Sequence, residues 1–218
     1  MVSNAAVAEK WSDILAELGG IPAKRVLREP KPGRATIDDL MKTNSNGGLC
    51  ELVDGTLVEK AMGWRESLIA AVLIEALGAF ARQHNLGLVS GADGFVQILN
   101  SVVRGPDVAF VSWERLPDGE VPETPIPSVV PDLVVEVISV SNTLTEMSRK
   151  RREYFYAGVR IVWMVDPRER SVAVYTSIND YEILDENQVL TAGEVLPGLQ
   201  INLAEVFGEL DRKPPPEV

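Results

Sequence analysis

Apolar positions recur along this chain with two periods, and the changes between them mark its elements. Over residues 65–83, Leu68, Val72, Ala76 and Phe80 form one stripe with Ile69, Leu73 and Leu77 beside it, the spacing of a buried helix face. Asn85 and Gly87 end that helix. Before it, Glu51-Leu-Val and Thr56-Leu-Val-Glu59 flank Asp54-Gly55, the turn pair that favours a two-residue hairpin. After it, strands are predicted at 88–90, 95–99, 107–111 and 133–138, and the last two are apolar nearly throughout, as expected of central strands covered on both faces. Between them, residues 116–131 are rich in Pro and Glu and read as a mobile surface loop. A second long helix is predicted over 143–157, capped by Ser141 or Asn142 and closed by Gly158. Strands at 161–165 and 172–176, a shorter β region to Ile201 and a helical turn at 203–207 complete the pattern.

The ends differ from this alternation. Residues 1–20 read as an amphipathic helix stopped by Gly19-Gly20, with Trp11, Ile14, Leu15 and Leu18 on one side and Glu9, Asp13 and Glu17 between them. Residues 21–35, with Pro22, Pro30, Pro32 and Gly33 among charges, read as a linker. A short helix is expected over 37–42, and residues 209–218, with Pro214-Pro-Pro216, as a disordered tail. The organisation is therefore an N-terminal helix and linker (1–35), one α/β domain (36–208) and a tail.

Length and composition narrow the class. A chain of 218 residues, 45% hydrophobic, suits one domain burying about 70% of its unfolded surface. No apolar run approaches the ~20 residues needed to span a bilayer, and the N-terminus lacks a signal peptide's apolar core. The single cysteine, Cys50, excludes an internal disulfide, so a soluble, cytoplasmic protein is expected. A net charge of −11 opposes indiscriminate binding to nucleic acid. Against it stands Arg149-Lys-Arg-Arg152, four cations in a row, which would give weak, salt-sensitive binding.

Candidate chemistry rests on charges placed where burial makes them costly. Glu136 lies inside Leu133-Val-Val-Glu-Val-Ile138, where an uncompensated carboxylate costs several kcal/mol. Asp107 opens a strand in Arg104-Gly-Pro-Asp-Val-Ala-Phe-Val111, and Lys150 lies on the helix that follows Glu136. Two carboxylates on neighbouring strands, roughly 4.8 Å apart in the sheet, can hold one Mg²⁺ (or Mn²⁺) that keeps most of its water. Lys150, at the edge of the stripe Leu144, Met147, Tyr154 and Phe155, would orient water or offset charge on a phosphoryl group. Arg151 competes for that cationic role. Each residue also has a plain reading: Asp107 as a strand end, Glu136 in a structural ion pair, Lys150 on a solvated face. Glu51, Glu59 and Glu66 read as surface acids, His84 as a charge at a helix C-terminus, and Trp163 and Tyr154 as core. The sequence holds no nucleophile elbow, phosphate loop or dinucleotide fingerprint.

The ordered set Glu51-Leu-Val-Asp-Gly55, Pro106-Asp107, Pro131 to Ser139, Ser141-Asn-Thr143, Lys150, Glu153-Tyr154, Ala157-Gly-Val159, Val162 to Pro167 and Leu196-Pro-Gly198 resembles the Uma-type restriction-endonuclease family of the PD-(D/E)XK nuclease superfamily, over residues 36–208. The resemblance implies a restriction-endonuclease-like α/β fold, a central mixed sheet flanked by helices, with Asp107 and Glu136 as the motif's acidic residues. Ile138 stands where the superfamily's lysine is expected, which implies that the role has moved to Lys150; Val140 replaces a proline common in relatives. Glu66 on the first core helix is the implied extra metal ligand.

The function expected is Mg²⁺-dependent endonucleolytic hydrolysis of phosphodiester bonds, in DNA, by a homodimer. Asp107, Glu136 and Lys150 would be catalytic, and Arg149, Arg151 and Arg152 would contact nucleic acid. The alternatives are a catalytically inactive interaction or dimerisation module on the same fold, and a hydrolase of RNA or a small phosphate ester.

Overall fold

The structure, a computed structural model, describes residues 11–61 and 63–214. Its elements in chain order are α1 (Trp11–Glu17), α2 (Ile37–Ser45), β1 (Cys50–Val53), β2 (Thr56–Glu59), α3 (Trp64–Gln83), β3 (Gly87–Gly91), β4 (Val96–Leu99), β5 (Val102–Arg104), β6 (Val108–Ser112), β7 (Leu133–Val137), α4 (Leu144–Ala157), β8 (Ile161–Asp166), β9 (Ser171–Tyr175), β10 (Tyr181–Asp185), β11 (Val189–Ala192), β12 (Leu196–Asn202) and α5 (Leu203–Gly208). The expected N-terminal helix is seen as α1. Its first ten positions and the last four of the tail lie outside the described residues.

The central sheet has six strands in the order β10-β9-β8-β7-β6-β3. Strands β7 and β8 run parallel, and the other neighbours are antiparallel, so the sheet is mixed. A parallel pair cannot be closed by a tight turn and needs a crossover, which here is α4. A second sheet, β2-β1-β5-β4, contains the hairpin at Asp54-Gly55. Its strand β5 has three residues, too few to show a period, and the sequence reading lacks it.

Both faces of the central sheet are covered, which explains why β6 and β7 are apolar nearly throughout. Val108, Phe110, Leu133, Val135 and Trp163 pack with Ile69, Leu73 and Leu77 of α3 and Phe207 of α5. Val134, Val162 and Met164 pack on the other side with Met147 and Tyr154 of α4. Alternation along β7 then puts Glu136 on the α4 side with Val134. Helix α4 starts one residue later than expected and is capped by Thr143, not by Ser141 or Asn142: Thr143 accepts from Glu146 N in a reciprocal capping box, and Gly158, at φ 103°, ends it. Asn142 instead accepts from Ser139 N and donates to Glu146.

Two segments read as loose are tied down. In the linker stretch Ile21, Arg25 and Val26 are buried, Leu27 N donates to Leu57 O, and Arg25 forms an ion pair with Glu146 at 2.7 Å. Ile21, Val26 and Ala35 are buried at irregular spacing, with Leu27 partly buried, so no periodic signal betrays the anchoring. In the 116–131 loop, Leu116 and Val129 are buried with Val111, and Gln97 N donates to Pro127 O.

Candidate active site

Strands of the central sheet and of the β2-β1-β5-β4 sheet, with helix α4, bring a set of charged side chains together under the surface. Pairing of Leu52 with Val103 sets Glu51 of β1 beside Arg104 of β5. Arg104 Nη1 donates to Glu51 Oε2 at 2.6 Å, and its Nε donates to Glu153 Oε2 of α4 at 2.9 Å. Lys150 uses its three N–H donors on Glu136 Oε2 (3.0 Å), Glu136 Oε1 (3.1 Å) and Glu51 Oε1 (3.2 Å). The Tyr154 hydroxyl, one turn further along α4, donates to Glu136 Oε1. Glu51, Glu136, Lys150, Arg104 and Tyr154 are all buried.

Asp107, just before β6, stands at the edge of this cluster. Its Oδ2 accepts from Val137 N at 2.8 Å, so the backbone beside Glu136 holds it against β7. Its Oδ1 accepts from Lys60 Nζ at 3.2 Å. Asp107 and Lys60 line a cleft of about 240 Å³ together with Glu66 and Ser67 from the start of α3. The side chain of Asp107 is 18% exposed there, whereas Glu136 and Lys150 are sealed behind it at 5% each.

The electrostatics follow from burial and from these partners. Burial works to raise the Glu51 carboxyl, but Lys150, Arg104 and Lys60 outweigh it and hold it at about 2. Burial pushes Glu136 up; Lys150 opposes this, while Asp107 and Glu51 add to it. Burial alone would lower Lys150, yet Glu136 and Glu51 keep it above its ordinary value, so it is a permanent cation. Burial, with Glu136 and Glu51 beside it, pushes the Tyr154 phenol well up, so it serves as a donor.

Asp107, Glu136 and Lys150 are therefore brought together, and Glu66 shares the cleft with Asp107 but has no hydrogen bond to the cluster among the described residues. Lys150, not Arg151, reaches the carboxylates; the Arg151 guanidinium lies 4.3 Å from the Tyr175 ring centre. The basic run is not one patch. At 3.6 residues per turn, four consecutive side chains fan most of the way round a helix. Arg149 binds Glu17 O, Asp54 and Glu153, Lys150 points inward, and Arg152 is exposed.

Sequence reasoning missed five members of the cluster or their roles. Glu51 read as a surface acid is buried at 1% exposure. The argument applied to Glu136 would have found it, since it sits within Cys50-Glu-Leu-Val53. Arg104 carries a similar signal after Val102 and Val103. Glu153 and the Tyr154 hydroxyl are legible only once Lys150 fixes the inward face of α4. Lys60, after β2, carries no pattern.

The donor set is oxygen only, which suits a hard cation such as Mg²⁺. Among the described residues no three Asp, Glu, His or Cys side chains are gathered closely enough to cage an ion. Two carboxylates, Asp107 and Glu136, fit an ion that keeps most of its water. They are already matched by cations: Glu51, Asp107, Glu136 and Glu153 face Lys60, Arg104, Arg149 and Lys150.

A mixed sheet covered by α3 and α5 on one face and by the crossover helix α4 on the other is an α/β fold. The Uma2 family, described as "Putative restriction endonuclease", matches residues 37–204, and the chain belongs to that family. The crystal structure of a "putative nuclease belonging to DUF820" from Anabaena variabilis superposes with a TM-score of 0.70 at 19% identity. The match covers 80% of this chain and 98% of that one, and the likeness is one of fold. No curated protein matches the chain. Among the described residues no helix is long and apolar enough to cross a membrane.

Proposed function

We propose that the protein is a divalent-metal-dependent endonuclease that hydrolyses phosphodiester bonds in DNA. The observation that carries this reading is the convergence of Asp107, Glu136 and Lys150, with Lys150 Nζ 3.0 Å from Glu136 Oε2 and Asp107 fixed to the backbone of the next residue. Asp107 and Glu136 would hold Mg²⁺ or Mn²⁺, with Glu66 available from the cleft wall. Bound there, the ion supplies a Lewis acid for the phosphoryl oxygens and makes a coordinated water more acidic.

The chain's own residues do the rest. Lys150 offers a fixed positive charge where negative charge grows on the phosphoryl group, and Glu51 holds its ammonium so that little reorganisation is needed. Tyr154 keeps its proton and orients Glu136. Arg151 and Arg152, and Arg149 when released from its internal partners, would meet the phosphate backbone. One site per chain favours a homodimer for cutting both strands of a duplex.

A second reading, an inactive interaction module, is favoured by the same cluster's charge balance and by the burial of Glu136. Incubation of single- and double-stranded DNA and RNA with Mg²⁺ or Mn²⁺ separates the two. Metal-dependent cleavage that Glu136→Ala abolishes supports the nuclease; no cleavage of any substrate with either metal gives the module first place.

A further inference from the structure

Lys60 is the one cation of the cluster that lies at the cleft, and nothing in the proposed chemistry uses it. Its side chain is 3% exposed, and its ammonium donates to Ala92 O at 3.0 Å, to Gly105 O and to Asp107 Oδ1 at 3.2 Å. All three N–H donors are thereby spent, on two carbonyls and one carboxylate. That is an all-oxygen nest of the kind that also suits a hard metal ion.

The oxygen it takes matters. Asp107 Oδ2 accepts from Val137 N, and Lys60 holds Oδ1, the oxygen that the β7 backbone leaves. A divalent ion on Oδ1 would stand close to an ammonium ion, and the two cations repel. Resting on the reading of Asp107 as a metal ligand, we propose that Lys60 is a tethered placeholder cation that positions Asp107 in the metal-free protein and is displaced when a divalent ion binds. It is a positioning residue: it acts through Asp107, whose Oδ1 it holds. In this role it lets neighbouring carboxylates fold together before metal arrives, and it sets a threshold of metal concentration below which the site stays closed.

The test uses the full chain and Mn²⁺ alone, by calorimetric titration and by thermal melting with and without the ion. Lys60→Met and Lys60→Gln should melt lower than wild type without metal. Both should bind Mn²⁺ at least about tenfold more tightly, because a competing charge has gone, and gain more in melting temperature when the ion is added. A merely structural lysine would lower the metal-free melting point and leave the affinity unchanged. Affinities equal to or weaker than wild type in both variants, or no Mn²⁺ binding by wild type and variants alike, overturn the proposal. Failure of the metal-ligand reading shows separately, as Asp107→Asn binding Mn²⁺ as tightly as wild type. If neither lysine variant folds, the nitrogen-15 resonance of the wild-type Lys60 ammonium decides. A shift on Mg²⁺ addition supports displacement, and an unchanged resonance overturns it.

Discussion

Glu51 and Lys150 lie 99 positions apart in the chain and meet at 3.2 Å in its interior. Their contact joins the smaller sheet to the crossover helix, and it makes the two buried glutamates on Lys150 unequal. Glu51 is served by two further cations and held ionised, whereas Glu136 is pushed towards its neutral form by burial.

Neutral isosteres should expose that difference. Glu51→Gln in metal-free buffer is expected to cost about 3 kcal/mol, the free energy carried by a carboxyl held near 2. Glu136→Gln should cost less than Glu51→Gln, because burial, the largest influence on Glu136, opposes its charged form. Urea unfolding of the two variants side by side checks this; equal losses would contradict it.

Acid stability has a definite sign. A carboxyl whose folded value is depressed contributes stability that is complete above its unfolded value and lost as pH falls through the folded one. For Glu51 the window runs from about pH 4.5 down to about 2, and Glu146, lowered by Arg25 and Asn142 against its burial, adds to the loss. Glu136 acts the other way, since protonation of a raised carboxyl favours the folded state. Unfolding free energies across this range should fall with pH in wild type, and the fall should be shallower in Glu51→Gln.

Lys150→Ala removes the cation between two buried carboxylates and should cost roughly 3–5 kcal/mol of stability. At a temperature where it stays folded, cleavage should drop by about 100-fold or more with little change in duplex affinity. Arg151→Ser and Arg152→Ser should do the reverse, each reducing the slope of log affinity against log salt by roughly one. Single-turnover cleavage and binding measured at several salt concentrations distinguish the two patterns.

Arg25 and Glu146 form a buried pair across 121 positions, with Arg25 donating 3.0 and 2.7 Å bonds to the two carboxylate oxygens. Arg25→Met and Glu146→Gln should each destabilise the protein, and together by less than the sum, with a coupling of about 1–3 kcal/mol. A double-mutant cycle by chemical unfolding measures it; strict additivity would mean that the arm does not brace α4.

The long elements were legible because their periods are long enough to read: α3, α4, β6 and β7 all carry their burial in the order of their residues. Glu136 was legible for the same reason, as a charge that breaks an apolar run. Lys60, Arg25 and β5 were not, because their meaning comes from what lies across space. Lys60 follows a strand as an ordinary surface lysine would, and only the fold brings Gly105 and Asp107 to it. The basic run shows the converse error, since charges adjacent in sequence are dispersed by the helix that carries them.

The separation of the site's partners along the chain also orders its assembly in time. Glu136 and Lys150 are 14 positions apart, whereas Glu51 waits 53 positions for Arg104 and 99 for Lys150. Closing a longer loop costs more entropy, and contacts between distant residues slow folding. During synthesis the smaller sheet can therefore form with Glu51 beside Arg104 and Lys60, whereas Lys150 arrives only when α4 has been made. A nascent chain stalled before residue 150 lacks the cation that joins Glu51 to Glu136, so the site is completed only by the contact that ties the smaller sheet to the crossover helix.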